Sequence, residues 1–202
     1  MLRLTLAFSL LALAPRPTLA QGRQPSPDST VIPGRGVPLY SGVKLALTIQ
    51  RLPSLHTGPA AATRTEVRLW DGFGLTGIGL FIAREDSAGR WRFWTLEPPL
   101  EDRRGRLRRL RPDSTWTIRW RAALAAGLLE LPPGPRRAPS DYFVSDGYSA
   151  IIETWIDGRY HAAGADNPAA YCSADDQRFM TVLHLLGGPE LQCRGTAGQP
   201  SN

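Results

Sequence analysis

The dipeptide Asp157-Gly158, set between Ile156 and Arg159, constrains this chain more than any other feature, because a two-residue turn fixes a hairpin's register as well as its existence. A type I′ turn there pairs Trp155 with Tyr160, Thr154 with His161 and Glu153 with Ala162. Side chains alternate along a strand, so Glu153, Trp155 and Tyr160 share one face and His161 takes the other.

The rest of the chain reads around that hairpin. Arg3, the apolar run Leu4 to Ala14 and the small residues Thr18-Leu19-Ala20 form a secretory signal peptide over residues 1–20. The run is about half the roughly 20 residues that a membrane span needs, and Pro15 closes it, so no transmembrane segment is expected after cleavage. Residues 21–36 are rich in Pro, Ser, Gly and Gln and read as a flexible leader. Residues 37–202 then form one domain, long enough to bury a core. The expected address is the periplasm or the extracellular space.

Val43, Leu45, Leu47 and Ile49 alternate with Lys44, Ala46, Thr48 and Gln50, which predicts a strand. Thr65 to Trp70, Ile78 to Arg84 and Trp91 to Leu96 predict three more, turning at Asp71-Gly72 and Ser87-Ala88-Gly89. Tyr142 to Val144 and Tyr148 to Ala163 continue the β structure. A helix capped by Ser114 carries Trp116, Trp120, Ala123 and Leu124 on one stripe and ends at Gly127. A second, capped by Ser173, runs from Ala174 to Leu186 with Phe179, Val182, Leu183 and Leu186 facing inward. Together these predict an α+β fold, an antiparallel sheet of meander plus hairpin with two helices packed on one face.

In an oxidising compartment the only two cysteines, Cys172 and Cys193, are expected to pair. They flank the second helix, about 20 Å long at 1.5 Å per residue, and the segment from Gly187 to Cys193 spans that distance only when nearly extended. Closing that loop stabilises the fold by about 3 kcal/mol on a chain-entropy argument.

Functional motifs are sparse. Lys plus Arg total 24 against 18 acidic residues, and loss of Arg3 and Arg16 with the signal peptide reduces the surplus to four, carried almost wholly by Arg. That excludes nucleic acid as a natural partner of an exported chain. Arg103, Arg104, Arg106, Arg108, Arg109 and Arg111 form the densest charge run, suited to an anionic envelope component such as lipid head groups or acidic polysaccharide, or else a solvated loop with no interleaved aromatic. Gly72-Phe-Gly-Leu-Thr-Gly77 matches a dinucleotide-loop pattern, but β-branched and aromatic residues follow where a helix must start, so it reads as a hairpin and no cofactor is expected. His56, His161 and His184 stand at no metal-ligand spacing. Gly147-Tyr148-Ser149-Ala150 lacks the second glycine of a nucleophile elbow. Glu153, beside Trp155 and Tyr160, forms a candidate pocket in which a carboxyl on an aromatic face can hold its proton.

The segment Trp116-x3-Trp120-x3-Leu124-x2-Gly127-Leu128-x2-Leu131-Pro132, with Asp146-Gly-Tyr148, Glu153, Gly158-Arg-Tyr160 and Asn167-Pro168-x3-Cys172, resembles a loose group of bacterial exported proteins that have no established activity. The resemblance implies that helix, hairpin and C-terminal helix form one unit, and it assigns no catalytic residue. The expectation is an exported, non-catalytic binding or interaction module. The alternative is a small exported hydrolase using Glu153 or Asp146 as acid or base.

Overall fold

A computed structural model describes residues 31–32, 37–38, 43, 47, 51–59, 62–72, 79–97, 106–133 and 148–193. The signal peptide, Arg103, Arg104, Tyr142 to Val144 and Asp146 lie outside them. Val31–Ile32 (β1) and Val37–Pro38 (β2), which bracket the end of the predicted leader, pair as a short antiparallel ribbon. The main sheet is antiparallel throughout. It comprises β3 (Thr63–Asp71), β4 (Gly79–Asp86), β5 (Trp91–Glu97), β6 (Arg106–Arg109), β7 (Ser149–Ile156) and β8 (Arg159–Asp166), in the order β6-β5-β4-β3-β7-β8. Helix α1 (Trp116–Ala125) lies between β6 and β7, and α2 (Pro168–Tyr171) and α3 (Ala174–Leu185) follow β8. Among the described residues no helix is long and apolar enough to cross a membrane.

The β7–β8 hairpin has the register that its turn dictates, with Trp155 opposite Tyr160, Thr154 opposite His161 and Glu153 opposite Ala162. Asp157 and Gly158 both have positive φ, 46° and 84°, as a type I′ turn requires. β3 and β4 pair antiparallel with Asp71 against Gly79, so the element that follows the glycine-rich pattern is a strand, as a hairpin reading expects. A Cβ at Gly79 would stand 2.0 Å from Asp71 Oδ1, so any larger residue there would have to displace the Asp71 carboxylate.

Helices α1 and α3 cover one face. Val67, Leu69, Ala83, Phe93, Ala150, Ile152, Ala163 and Ala165 of the sheet meet Trp116, Trp120 and Ala123 of α1 and Phe179, Val182 and Leu183 of α3. Trp116 is the hub of the aromatic packing, with ring centroids 5.5 Å from Phe81, 5.5 Å from Trp91 and 5.3 Å from Phe93. Helix α3 starts at Ser173 in a reciprocal capping box with Asp176, and Asp175 and Asp176 lie in its first turn where the dipole favours negative charge. The start of α1 differs from expectation: Thr115, not Ser114, is the cap residue, and the Asp113 carboxylate accepts from the Thr115 N–H at 2.8 Å and hydroxyl at 2.7 Å. Gly127 takes the left-handed conformation that ends the helix, at φ 88°.

Two further expectations are corrected. Val43 and Leu47 are helical and buried, not members of a strand. Positions four apart satisfy a helical period as well as a period of two, and the other residues of that stretch lie outside the described ones. Both side chains join Trp70, Leu80, Ile82, Leu96 and Ile151 on the sheet's second face, so the sheet carries helical residues on both sides. Arg106 to Arg109, read as a loop, is the edge strand β6, because Leu107 packs on the second face and anchors it beside β5.

Cys172 and Cys193 are bonded, with Cα atoms 5.7 Å apart. The disulfide ties the end of α2 to the segment returning past α3, and Leu191 on that segment packs against the core.

Trp120, buried against Trp91 at 5.7 Å between centroids, tests the packing of α1. Trp120→Ala is expected to lower unfolding free energy by about 3–5 kcal/mol in denaturant titrations, while a change within a few tenths would place the stripe on the wrong side of the helix.

Candidate functional site

β3 is buried without interruption from Thr65 to Trp70, so it is enclosed on both faces. Val67 and Leu69 on the helix face are apolar, but Glu66, Arg68 and Trp70 point to the second face, and the two charges are fully buried there. A buried ion is tolerated only when paired and hydrogen-bonded, and here the partners are the other ion of the same strand, Arg84 of β4 and the Pro53 carbonyl. Glu66 accepts from Arg68 Nε at 2.8 Å through one oxygen and from Arg84 Nε at 2.8 Å through the other. Arg68 Nη1 donates to the Pro53 carbonyl at 2.7 Å, which fastens the segment around the turn Leu55–Thr57 over this half of the sheet.

Glu153, the expected pocket carboxylate, lies opposite Arg68 in the β3–β7 register, yet Arg68 gives its Nε to Glu66. Trp70 Nε1 donates to Glu153 Oε2 at 2.6 Å and the Tyr160 hydroxyl donates to Oε1 at 2.8 Å. His56 meets the Tyr160 ring edge-on at 5.1 Å, and Leu55 beside it is fully buried. Glu153, Trp155 and Tyr160 are thus brought together on one face as expected. The carboxylate is enclosed, however, with both oxygens accepting hydrogen bonds from its neighbours.

The register also assembles a second group on the same face. Arg84 lies opposite Arg92, and Trp94 lies opposite Arg109. The Arg84 guanidinium sits 5.3 Å from the centroid of the Trp94 ring, while its Nε remains bound to Glu66. Arg92 and Arg109 are exposed, Arg84 and Trp94 half-buried. Asp86 lies on this rim, 3.7 Å from Arg92 and 3.0 Å from Arg90. The hydrogen bond from the Arg90 N–H is the main reason its carboxyl stays below the usual range.

Alternation splits the arginine run. Arg106 and Arg108 share the face of Leu110, which packs toward the helices, whereas Arg109 shares the face of Leu107 and Trp94. Arg111 follows the strand and is exposed. One member of the run therefore joins Arg84, Arg92 and Trp94, residues that the linear pattern did not single out. The signal that could have found Glu66, Arg68 and Arg84 was their placement on strands flanked on both sides, where a charge needs a partner of its own. Trp94 was visible as an aromatic, but its neighbourhood with Arg109 follows only from the pairing of β6.

Two other carboxyls, Asp71 and Asp166, lie at the opposite end of the sheet, and burial raises both above the ordinary carboxylate range. Asp71 faces the helices with Leu69 and accepts from the Tyr148 hydroxyl at 3.5 Å, whereas Asp166 faces away with Ser149. They do not converge on one space. His161 is buried on the helix side, where desolvation lowers its pKa against a hydrogen bond to the Leu128 carbonyl. Among the described residues no group of three His, Cys, Asp or Glu side chains is placed to hold a metal ion.

No protein family, curated protein or solved structure matches this chain.

Arg68→Met keeps the side-chain volume and removes the charge, leaving Glu66 buried with only the half-exposed Arg84. The expected loss is about 3–5 kcal/mol in denaturant melts, the range for breaking a buried pair from one side. A melt unchanged from the parent protein would show that Glu66 does not depend on Arg68.

Proposed function

We propose that this chain is an exported, non-catalytic binding module for anionic polysaccharide, and that it meets its ligand on the surface formed by Arg84, Arg92, Trp94 and Arg109. The observation that carries the reading is an indole set among three guanidinium groups on three adjacent strands. Guanidinium groups pair with carboxylate or sulfate through two hydrogen bonds, and an aromatic ring gives a sugar ring an apolar surface to lie against. Arg84 is anchored through Nε to Glu66, so part of the conformational cost of holding an anion is met before binding. The disulfide supports export. Against the hydrolase alternative stands the saturation of Glu153, whose oxygens already accept from Trp70 and Tyr160 inside the fold.

The test is retention on an immobilised sulfated or uronate polysaccharide at low salt, with a neutral polysaccharide as control. Arg92→Ser combined with Arg109→Ser removes two exposed charges, and the one ion pair involved, Arg92 with Asp86, is a surface pair worth little stability. Retention of the double variant should fall at least tenfold with an unchanged melt, and that of the parent protein should fall steeply as salt is raised, because exposed charges are screened over about 10 Å at 0.1 M. Trp94→Ala should weaken polysaccharide retention further. Retention that ignores salt and both arginines would sink the reading. Capture by anionic vesicles that survives Trp94→Ala, without capture by polysaccharide, would assign the surface to lipid head groups instead.

A further inference from the structure

The far end of the β7–β8 pair holds a polar corner that the arginine surface does not use. Ser149 and Asp166 are register partners, and the Ser149 hydroxyl donates to Asp166 Oδ1 at 2.5 Å. Asn167 Nδ2 donates to the same oxygen at 3.3 Å. All three residues are more than nine-tenths buried. Two acceptors in the corner nevertheless have no donor, Asp166 Oδ2 and Asn167 Oδ1. Each such buried orphan costs about 1–3 kcal/mol, so two in consecutive residues call for a common explanation.

The backbone holds the Asn167 amide where it is. Asn167 is left-handed, φ 51° and ψ 47°, its N–H donates to the Tyr148 carbonyl at 2.9 Å, and its own carbonyl accepts from Ala170 at 2.9 Å. Exchanging the amide's oxygen and nitrogen gives no full relief, since it would set the amide oxygen against Asp166 Oδ1, acceptor to acceptor, and leave that oxygen without a donor. The ionisable groups recorded around Asp166 bring no counter-charge. Ser149 of β7 is neutral, the Tyr171 hydroxyl of α2 is pushed up by burial and then by Asp166 and Asp176, and Asp176 at the start of α3 is itself an acid. No arginine, lysine or histidine among the described residues is recorded in an ion pair with Asp166. A calcium ion takes six to eight oxygens, far more than two unclaimed ones.

We propose that the corner between β8 and α2 is a proton-dependent latch, closed while Asp166 carries a proton on Oδ2. One proton supplies the donor that both orphans lack. Oδ2–H donates to Asn167 Oδ1 while Asn167 Nδ2 donates to Oδ1, the two-point pairing of a carboxylic acid with a primary amide. Burial acts in the same direction, raising the acid's pKa against the opposing hydrogen bond from Ser149. Because the folded state then keeps its proton to higher pH than the unfolded chain, this contribution to stability is full below the unfolded value of 3.8 and declines as pH rises through the folded one. The strain of ionisation falls on α2 and on Cys172, the residue that closes it.

The direct experiment is a pH titration of the Asp166 side-chain carbon by NMR on the disulfide-bonded protein, with denaturant melts of the parent and of Asp166→Asn across the same range. The Asp166 midpoint should lie at least about one unit above that of an ordinary aspartate, a tenfold higher proton affinity. Asp166→Asn keeps the shape, accepts from Ser149 and donates to Asn167 at every pH, so its stability relative to the parent should increase as pH rises through that midpoint. A carbon midpoint at or below the ordinary value would overturn the proposal even if the variant failed to fold. So would a melt raised by millimolar calcium in the parent and not in Asp166→Asn, because the occupant would then be a cation.

Discussion

The Glu66 carboxylate, buried on the central strand between two guanidinium groups, is the constraint from which the second face of the sheet follows. It cannot stay in the interior as a charge without donors, and both its oxygens are taken, one by the buried Arg68 and one by the half-exposed Arg84. Arg68 in turn needs acceptors beyond Glu66, and it finds one in the Pro53 carbonyl. That bond draws the chain before β3 across the sheet and places Leu55 and His56 over Tyr160. A row of charges thus decides where a connecting segment lies. Replacing such a row by apolar residues of similar volume is often neutral or stabilising, so its presence does not by itself argue for stability. Its consequence for the surface is more specific: Glu66 fixes the Arg84 guanidinium over Trp94.

The two faces therefore have different physical roles. The helix face is a packed apolar layer centred on Trp116, closed by a capped helix and a disulfide. The second face is divided along its strands. One half is apolar and carries Val43 and Leu47, and the other runs from Tyr160 and Glu153 through Glu66 and Arg68 to the exposed arginines of β5 and β6. Buried charge and exposed charge are linked across the sheet through one carboxylate.

Features governed by neighbours in sequence were legible before the fold was seen. Asp157-Gly158 set the hairpin register, Ser173 with Asp176 set the start of α3, and the spacing of Trp116, Trp120 and Ala123 set the buried stripe of α1. Features governed by long-range pairing were not. Val43 and Leu47 satisfy two periods at once, and only burial against Trp70 and Leu80 distinguishes them. Arg106 to Arg109 has the composition of a solvated loop and becomes a strand because Leu107 finds a place beside Leu96. The candidate pocket was legible as Glu153, Trp155 and Tyr160, since one hairpin holds all three. The donor to its second oxygen, Trp70, comes from a strand more than eighty residues earlier.

The account's central claim is that a buried carboxylate positions a ligand-binding arginine, and the retention of Glu66→Gln on acidic polysaccharide tests it most directly. Glutamine keeps the volume and one acceptor while removing a negative charge beneath the surface. Charge alone would then strengthen the hold on an anionic ligand. Release of Arg84 from its anchor predicts the reverse, weaker retention at equal salt by a variant whose circular dichroism still shows the parent fold. Retention that rises or stays level in that folded variant would contradict the claim and leave Glu66 a structural partner of Arg68 alone.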